Sequence, residues 1–193
     1  MRVRYGGFGG INMTPIWVLM AVNLIFFVAA LIREQVIFDT FGFMPSQFLD
    51  EPWTIITSMF VHDGIFHILV NMLMLYFFGS YILGLVGEAK FLIVYFVGGL
   101  LGNLLFFLLG NEYATVVGAS GAVYAIMATL AVMRPRLKVL VWFLIPVDLW
   151  IVVVIGALII SPNIAWQAHI GGMILGLAAG LYFRRQERGR FWG

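Results

Sequence analysis

Six side chains carry chemistry where chemistry is costly: His67, Asn71, Asn103, Ser120, Asp148 and His169. Each lies inside or beside a long apolar run, and a polar group there is expensive unless it pairs or reacts. Ser120 sits in Gly118-Ala119-Ser120-Gly121, a hydroxyl flanked by small residues. Glycines permit a strained, loop-like backbone that leaves the serine N–H free and its oxygen exposed. Serine is a weak nucleophile until a base removes its proton, and a neutral imidazole in an apolar, partly hydrated site can do so. His169 is the candidate base. The tetrahedral species that follows needs hydrogen-bond donors for its oxygen. The backbone N–H groups of Ser120 and Ala119, the His67 ring and the Asn71 amide are the groups available. Asp148 belongs near the opposite end of its helix, so the expectation is a Ser–His dyad without a carboxylate.

The spacing of these residues from flanking charges places them at one depth. Ser120 precedes Arg134 by about 14 residues, or roughly 21 Å of helix, and His169 precedes Arg184 by about 15 residues, or roughly 22 Å. Asn71 precedes Glu88 by about 17 residues, or roughly 25 Å. In a hydrocarbon core about 30 Å thick, all three groups lie roughly a third of the way in from one face. His67 is one turn nearer that face, on the same side of its helix as Asn71. One such residue alone would be read as a hydrogen-bonding link between helices; four converging at one depth suggest a site. Ala168-His169-Ile170-Gly171-Gly172 continues to Gly176 and Gly180, a small-residue face that allows close backbone approach. Gly121 and Ala125 offer a matching face. Packing of the two would bring Ser120 and His169 within reach of each other.

The elements that must hold these residues are read from composition. Of 193 residues, 63% are apolar and 10% charged, against roughly 25% charged in soluble domains. So much apolar surface must face lipid. Scanning for runs near the length of a membrane span yields six helices: roughly Pro15 to Ile32, Ile65 to Val86, Phe91 to Leu109, Gly118 to Met133, Val139 to Ile160 and Ile164 to Phe183. The runs are continuous, not alternating, so a barrel is disfavoured. The fold class expected is an all-α integral membrane protein: one domain over residues 1–193, a six-helix bundle with a long membrane-associated loop between the first two helices. The first run is too long for a secretory signal and lacks a good cleavage site, so it reads as a retained helix. Within the loop, Trp53 to Val61 reads equally as a surface segment packed on the bundle or as an element half-submerged in the interfacial plane.

Orientation follows from the basic residues. Arg2, Arg4, Lys90, Arg134, Arg136, Lys138, Arg184, Arg185, Arg188 and Arg190 fall on one side of a six-span chain. Glu34, Asp39, Asp50, Glu51, Asp63, Glu112 and the Ser161-Pro162-Asn163 turn fall on the other, with Arg33 the only base. Both termini are expected in the cytoplasm of a multi-pass cell-membrane protein, with the site opening to the extracytoplasmic side. The net charge is +2 with no basic, aromatic-interleaved stretch, which gives no support for nucleic-acid binding. With no cysteine there are no disulfides or thiolate ligands.

His62-x4-His67-x3-Asn71, Gly118-Ala119-Ser120-Gly121 and Ala168-His169-x2-Gly172-x3-Gly176 resemble, in order, spacing and placement, the rhomboid family of intramembrane serine proteases. The resemblance runs from about Ile16 to Arg185 and implies a minimal six-span, prokaryotic-type form. It implies that Ser120 and His169 form the dyad, that His67 and Asn71 help hold the oxyanion, and that Tyr124 stacks on His169. Gly118, Gly121, Gly172 and Gly176 support the arrangement. It implies transmembrane protein substrates with a helix-destabilised segment, admitted between the second and fifth helices under a loop at about Pro162 to Gln167. The Trp-Arg pair common in the family's first loop is absent, so other contacts must hold that loop.

Rival readings weigh less. A catalytically inactive rhomboid-like binding factor would typically lack the serine or histidine, and both are present. A small transporter needs ionisable groups along a pathway; Asp148 alone does not make one, though His67 and His169 could relay protons. A zinc protease would show H-E-x-x-H, and an aspartyl enzyme would need two intramembrane aspartates. A site built from His62, His67 and His169 would lack a carboxylate to orient its ligands. Neither a metal nor a cofactor is expected.

Overall fold

The computed structural model describes residues 12–141, 144–158 and 165–191. Arg2, Arg4 and the Ser161-Pro162-Asn163 turn lie outside them, as does the first half of the Pro162–Gln167 loop. The chain is mostly helical. Helix α1 spans Thr14–Ile32 and α2 Glu34–Phe41, and a short turn of helix, α3, covers Thr54–Thr57. Helix α4 spans Ile65–Val86, with a π-helical turn at Leu75–Gly79. Helix α5 is Glu88–Leu109 and α6 is Ser120–Met133; strands β1 (Lys138–Val141) and β2 (Ile145–Asp148) precede α7 (Leu149–Ala157) and α8 (Trp166–Phe191). Among these, α1, α4 and α5 are long and apolar enough to cross a membrane. Their outer faces carry large exposed apolar side chains such as Ile25, Ile32, Phe66 and Leu108, the pattern required where the solvent is lipid.

Helix α6 is the centre of the bundle. Eleven of its fourteen residues are buried, so it is walled in on nearly every side. Its neighbours approach closely because the contact residues are small. A Cβ placed on Gly172 of α8 would lie 1.9 Å from the Gly121 carbonyl oxygen, an overlap no side chain could relieve by rotating. Four residues on, at Gly176, the same construction meets the Ala125 carbonyl at 2.3 Å. The Thr129 Oγ1 sits 2.8 Å from Ala125 O and 3.1 Å from Gly176 O, adding a polar link across the seam. Buried Phe91, Tyr95, Ile126 and Leu130 fill the space between α5, α6 and the π turn of α4.

One expectation needs correction. The run from Val139 to Ile160 is not one helix. Strands β1 and β2 pair antiparallel, with Lys138 opposite Asp148 and Leu140 opposite Pro146, and α7 covers only Leu149–Ala157. Pro146 explains this: inside a helix it would remove a backbone bond and clash with the preceding turn, whereas an edge strand accepts it. The β-branched Val139, Ile145 and Val147 suit a strand. Asn103 donates to Ile55 O of α3 at 2.7 Å and to Ser58 Oγ at 2.9 Å, tying α5 to the segment between α1 and α4.

That segment is held by specific contacts in place of a Trp-Arg pair. Trp53 Nε1 donates to Thr40 O at 2.9 Å and Thr57 Oγ1 to Phe41 O at 2.9 Å. Phe43, Phe48 and Phe107 pack edge-on and tilted against one another. Thr54, Ser58, Met59, Val61 and His62 are all buried. Trp53 to Val61 is therefore packed largely into the protein.

Candidate active site

The stretch leading into α6 is gripped from the side. Phe43 and Val116 exchange backbone hydrogen bonds of 3.1 and 2.8 Å, and the Gly118 N–H donates to Ser58 O at 2.8 Å. Gly118 has φ of +117°, a conformation that disfavours any side chain, and a Cβ there would lie 2.7 Å from the His67 ring. Only glycine allows the chain to turn past His67. Helix α6 then begins at Ser120, two residues into the run expected from Gly118. The first N–H groups of a helix lack intrahelical acceptors and carry the positive end of its dipole, so the Ser120 amide is a donor suited to an anion.

His169, one turn into α8, meets Ser120 across the close seam, with 3.0 Å between Nε2 and Oγ. The Tyr124 ring stacks on the imidazole at 4.3 Å between centroids and 25° between planes. The tyrosine is itself backed by Gly156 of α7, where a Cβ would lie 2.5 Å from its hydroxyl. The buried His169 Nδ1 has no partner among the described residues. Asp148 pairs in register with Lys138, which follows the far end of α6.

His67 and Asn71 flank the serine from α4. The Asn71 amide donates one N–H to His67 O at 3.0 Å, leaving its second for another acceptor. His67 Nδ1 lies 2.6 Å from Asp63 Oδ1. Asp63 was legible in the sequence only as a loop acid. The four-residue separation from His67 is the signal that could have marked the pair, although Asp63 lies just outside the helix where that rule applies.

Ala119 needs a further correction. Its N–H, expected among the oxyanion donors, points to Nε2 of His62 at 3.4 Å. His62 is 1% exposed, and its pKa is lowered from 6.5 to about 4, first by burial and then by the charge of neighbouring His67. The neutral ring can accept the Ala119 hydrogen, so His62 ties the first loop to the residue before Ser120. A base depressed on folding stabilises fully above its unfolded pKa, and this stability is lost as pH falls through the folded value. Thermal stability should therefore decline between about pH 6.5 and about 4 in part because of His62. His62→Gln keeps an acceptor but does not titrate, so its melting temperature should fall less over that window. An unchanged pH dependence would count against this role.

Ser120, His169, His67, Asn71 and Tyr124 all line one cavity of about 1050 Å³. Its other walls include Phe66, Val70 and Met74 of α4 and Val152 and Gly156 of α7. Among the described residues no cluster of three or more His, Cys, Asp or Glu side chains could hold a metal ion.

The family model of the Rhomboid domain matches residues 49–186. RHOMBOID-like protein 12, mitochondrial, of Arabidopsis thaliana is 34% identical over 163 residues, covering 72% of this chain and 47% of that protein. Rhomboid-like protease 3 of Toxoplasma gondii is 28% identical over 139 residues, 69% of this chain and 52% of its own. Rhomboid protease GluP of Bacillus subtilis is 27% identical over 143 residues, 73% of this chain and 28% of its own. The chain thus spans about half or less of the length of these relatives. With most of its length matched by the domain and its membrane helices in place, the chain belongs to the rhomboid family.

Proposed function

We propose that this chain is an intramembrane serine endopeptidase that hydrolyses peptide bonds in or near transmembrane segments through a Ser120–His169 dyad. The observation that carries the reading is the 3.0 Å contact between Ser120 Oγ and His169 Nε2, inside a cavity walled by lipid-facing helices. As Oγ attacks the scissile carbonyl carbon, Nε2 takes the hydroxyl proton. The carbonyl oxygen becomes an oxyanion beside the Ser120 N–H, the free Asn71 N–H and His67. Its collapse breaks the C–N bond, and the imidazolium returns the proton to the leaving amine. Water then attacks the acyl-serine, with His169 again taking and returning a proton. Tyr124 holds the ring flat throughout, and Gly118, Gly121, Gly172 and Gly176 permit the backbone approaches that align the pair.

The topology that suits this chemistry is a six-span bundle in the cell membrane, termini in the cytoplasm, the serine end of α6 toward the outside. Substrate segments pass between α4 and α7, where Phe66, Val70, Met74, Val152 and Gly156 line the cavity wall. The test is direct. Protein purified in detergent is treated with a fluorophosphonate probe and, separately, with a model single-span substrate. Labelling at Ser120 together with cleavage supports the reading. A protein that remains folded yet does neither removes it and leaves a client-binding role.

Within this mechanism Asp63 is a positioning residue. Its carboxylate accepts from Nδ1 of His67 and fixes how the ring faces Gly118. Asp63→Ala should slow turnover about tenfold, short of the roughly 10²–10³ lost when an oxyanion donor itself is removed. KM should stay unchanged, and Asp63→Asn, which retains an accepting oxygen, should recover part of the rate. Added to His67→Ala, the substitution should cost nothing further. Full additivity in that double variant would disprove the coupling.

A further inference from the structure

A second cavity, of about 490 Å³, lies at the far end of α6 from the serine. Arg134, Arg136 and Arg184 line it, together with Tyr81, Met133 and Leu137. Arg134 directs both Nη atoms to the Glu187 carboxylate at 2.9 Å. Arg184 is anchored by donating to Val132 O at 3.3 Å. Arg136 is exposed and makes no ion pair among the described residues. Glu187 thus offsets one of three guanidinium charges, and the concavity remains cationic. Surface arginines that only mark one side of a membrane protein fan outward into solvent. Here they surround one space, and two are held by protein acceptors, so little side-chain freedom remains to be lost on binding.

The depth of the cavity narrows the choice of anion. Arg134 lies about 14 residues, or roughly 21 Å, along the helix axis from Ser120, at the boundary where phospholipid phosphates lie. Exposed Tyr81, Leu181 and Tyr182 belong to the neighbouring turns of α4 and α8, supplying apolar and aromatic surface for acyl chains and their glycerol junction. A soluble anion would use the charge alone, whereas an anionic phospholipid uses both.

From this we infer that the Arg134–Arg136–Arg184 cavity is a binding site for the phosphate headgroup of an anionic membrane lipid, clamping the ends of α4, α6 and α8. Basic pockets between membrane helices take such headgroups through charge-assisted hydrogen bonds. The site does not depend on whether the dyad is active.

The test uses the full chain in a neutral detergent, with melting temperature read by tryptophan fluorescence. Short-chain phosphatidylglycerol should raise it in a saturable way, by a few degrees, and phosphatidylcholine should not. Arg136→Gln, which removes no intramolecular ion pair, should shift the phosphatidylglycerol midpoint to about fivefold higher concentration. Lys90→Gln, which removes a charge engaged by Gln186 and Phe183 outside this cavity, should not shift it. Equal midpoints for wild type and Arg136→Gln would overturn the site. An equal shift from Lys90→Gln would also overturn it, in favour of diffuse surface charge. Inorganic phosphate alone reproducing the full stabilisation would overturn the lipid assignment.

Discussion

Ser120→Ala is expected to abolish probe labelling and substrate cleavage, and His169→Ala to reduce cleavage by at least about 10⁴-fold, each without loss of fold. The first follows because no other hydroxyl among the described residues is paired with an imidazole. The second follows because an unactivated serine is a weak nucleophile at neutral pH. The two residues act as one unit, so the double variant should be no worse than the poorer single one. Neither side chain fills the core, and melting temperatures should stay close to wild type. Acidification should mimic His169→Ala, since an imidazolium has no lone pair at Nε2 with which to accept the serine proton. Robust cleavage by Ser120→Ala would end the serine-protease reading.

Gly172→Val is expected to be nearly as severe, although the residue touches no substrate. Even a single Cβ at this position falls 1.9 Å from the Gly121 carbonyl oxygen. That atom belongs to a backbone that cannot rotate away, so α6 and α8 must separate by an ångström or more. Gly121 follows the nucleophile and Gly172 lies one turn after His169, so the displacement acts on the dyad directly. A misplacement of about 1 Å costs on the order of 10²-fold in rate, and overpacking costs about 1–3 kcal/mol. Cleavage and melting temperature should fall together. Gly64→Ala is the comparison: its backbone is extended, no atom lies within 4 Å of an added Cβ, and stability should stay within about 0.5 kcal/mol. Wild-type activity in Gly172→Val would show that the seam does not set the dyad geometry.

The pairing of Ser120 with His169 was legible because membrane burial restricts where polar residues can go. Charges at the helix ends measured the depth of each one, and the small residues indicated which helices could approach. The run read from Gly118 loses its first two residues in the structure, because Gly118 takes a positive φ and α6 starts at Ser120. The pairing of β1 with β2 was missed because an apolar run hides its period, although Pro146 argued against a helix. The contact from His62 to Ala119 spans 57 residues. No periodicity encodes it, because it depends on how the first loop folds back over the bundle. Assigning Ala119 to the oxyanion failed for that reason: the local sequence left its N–H free, and a distant ring claimed it.

The enclosure of α6 also bears on how the molecule is made. Ser120 and His169 are separated by 49 residues. At ribosomal rates of about 5–20 residues per second, roughly 2 to 10 s pass between the synthesis of one and the other. During that interval the hydroxyl has no imidazole beside it and the glycine seam of α6 has no partner. On the proposed mechanism the newborn chain is thus inert toward neighbouring membrane proteins until α8 docks, and that latency is written into the order of the helices.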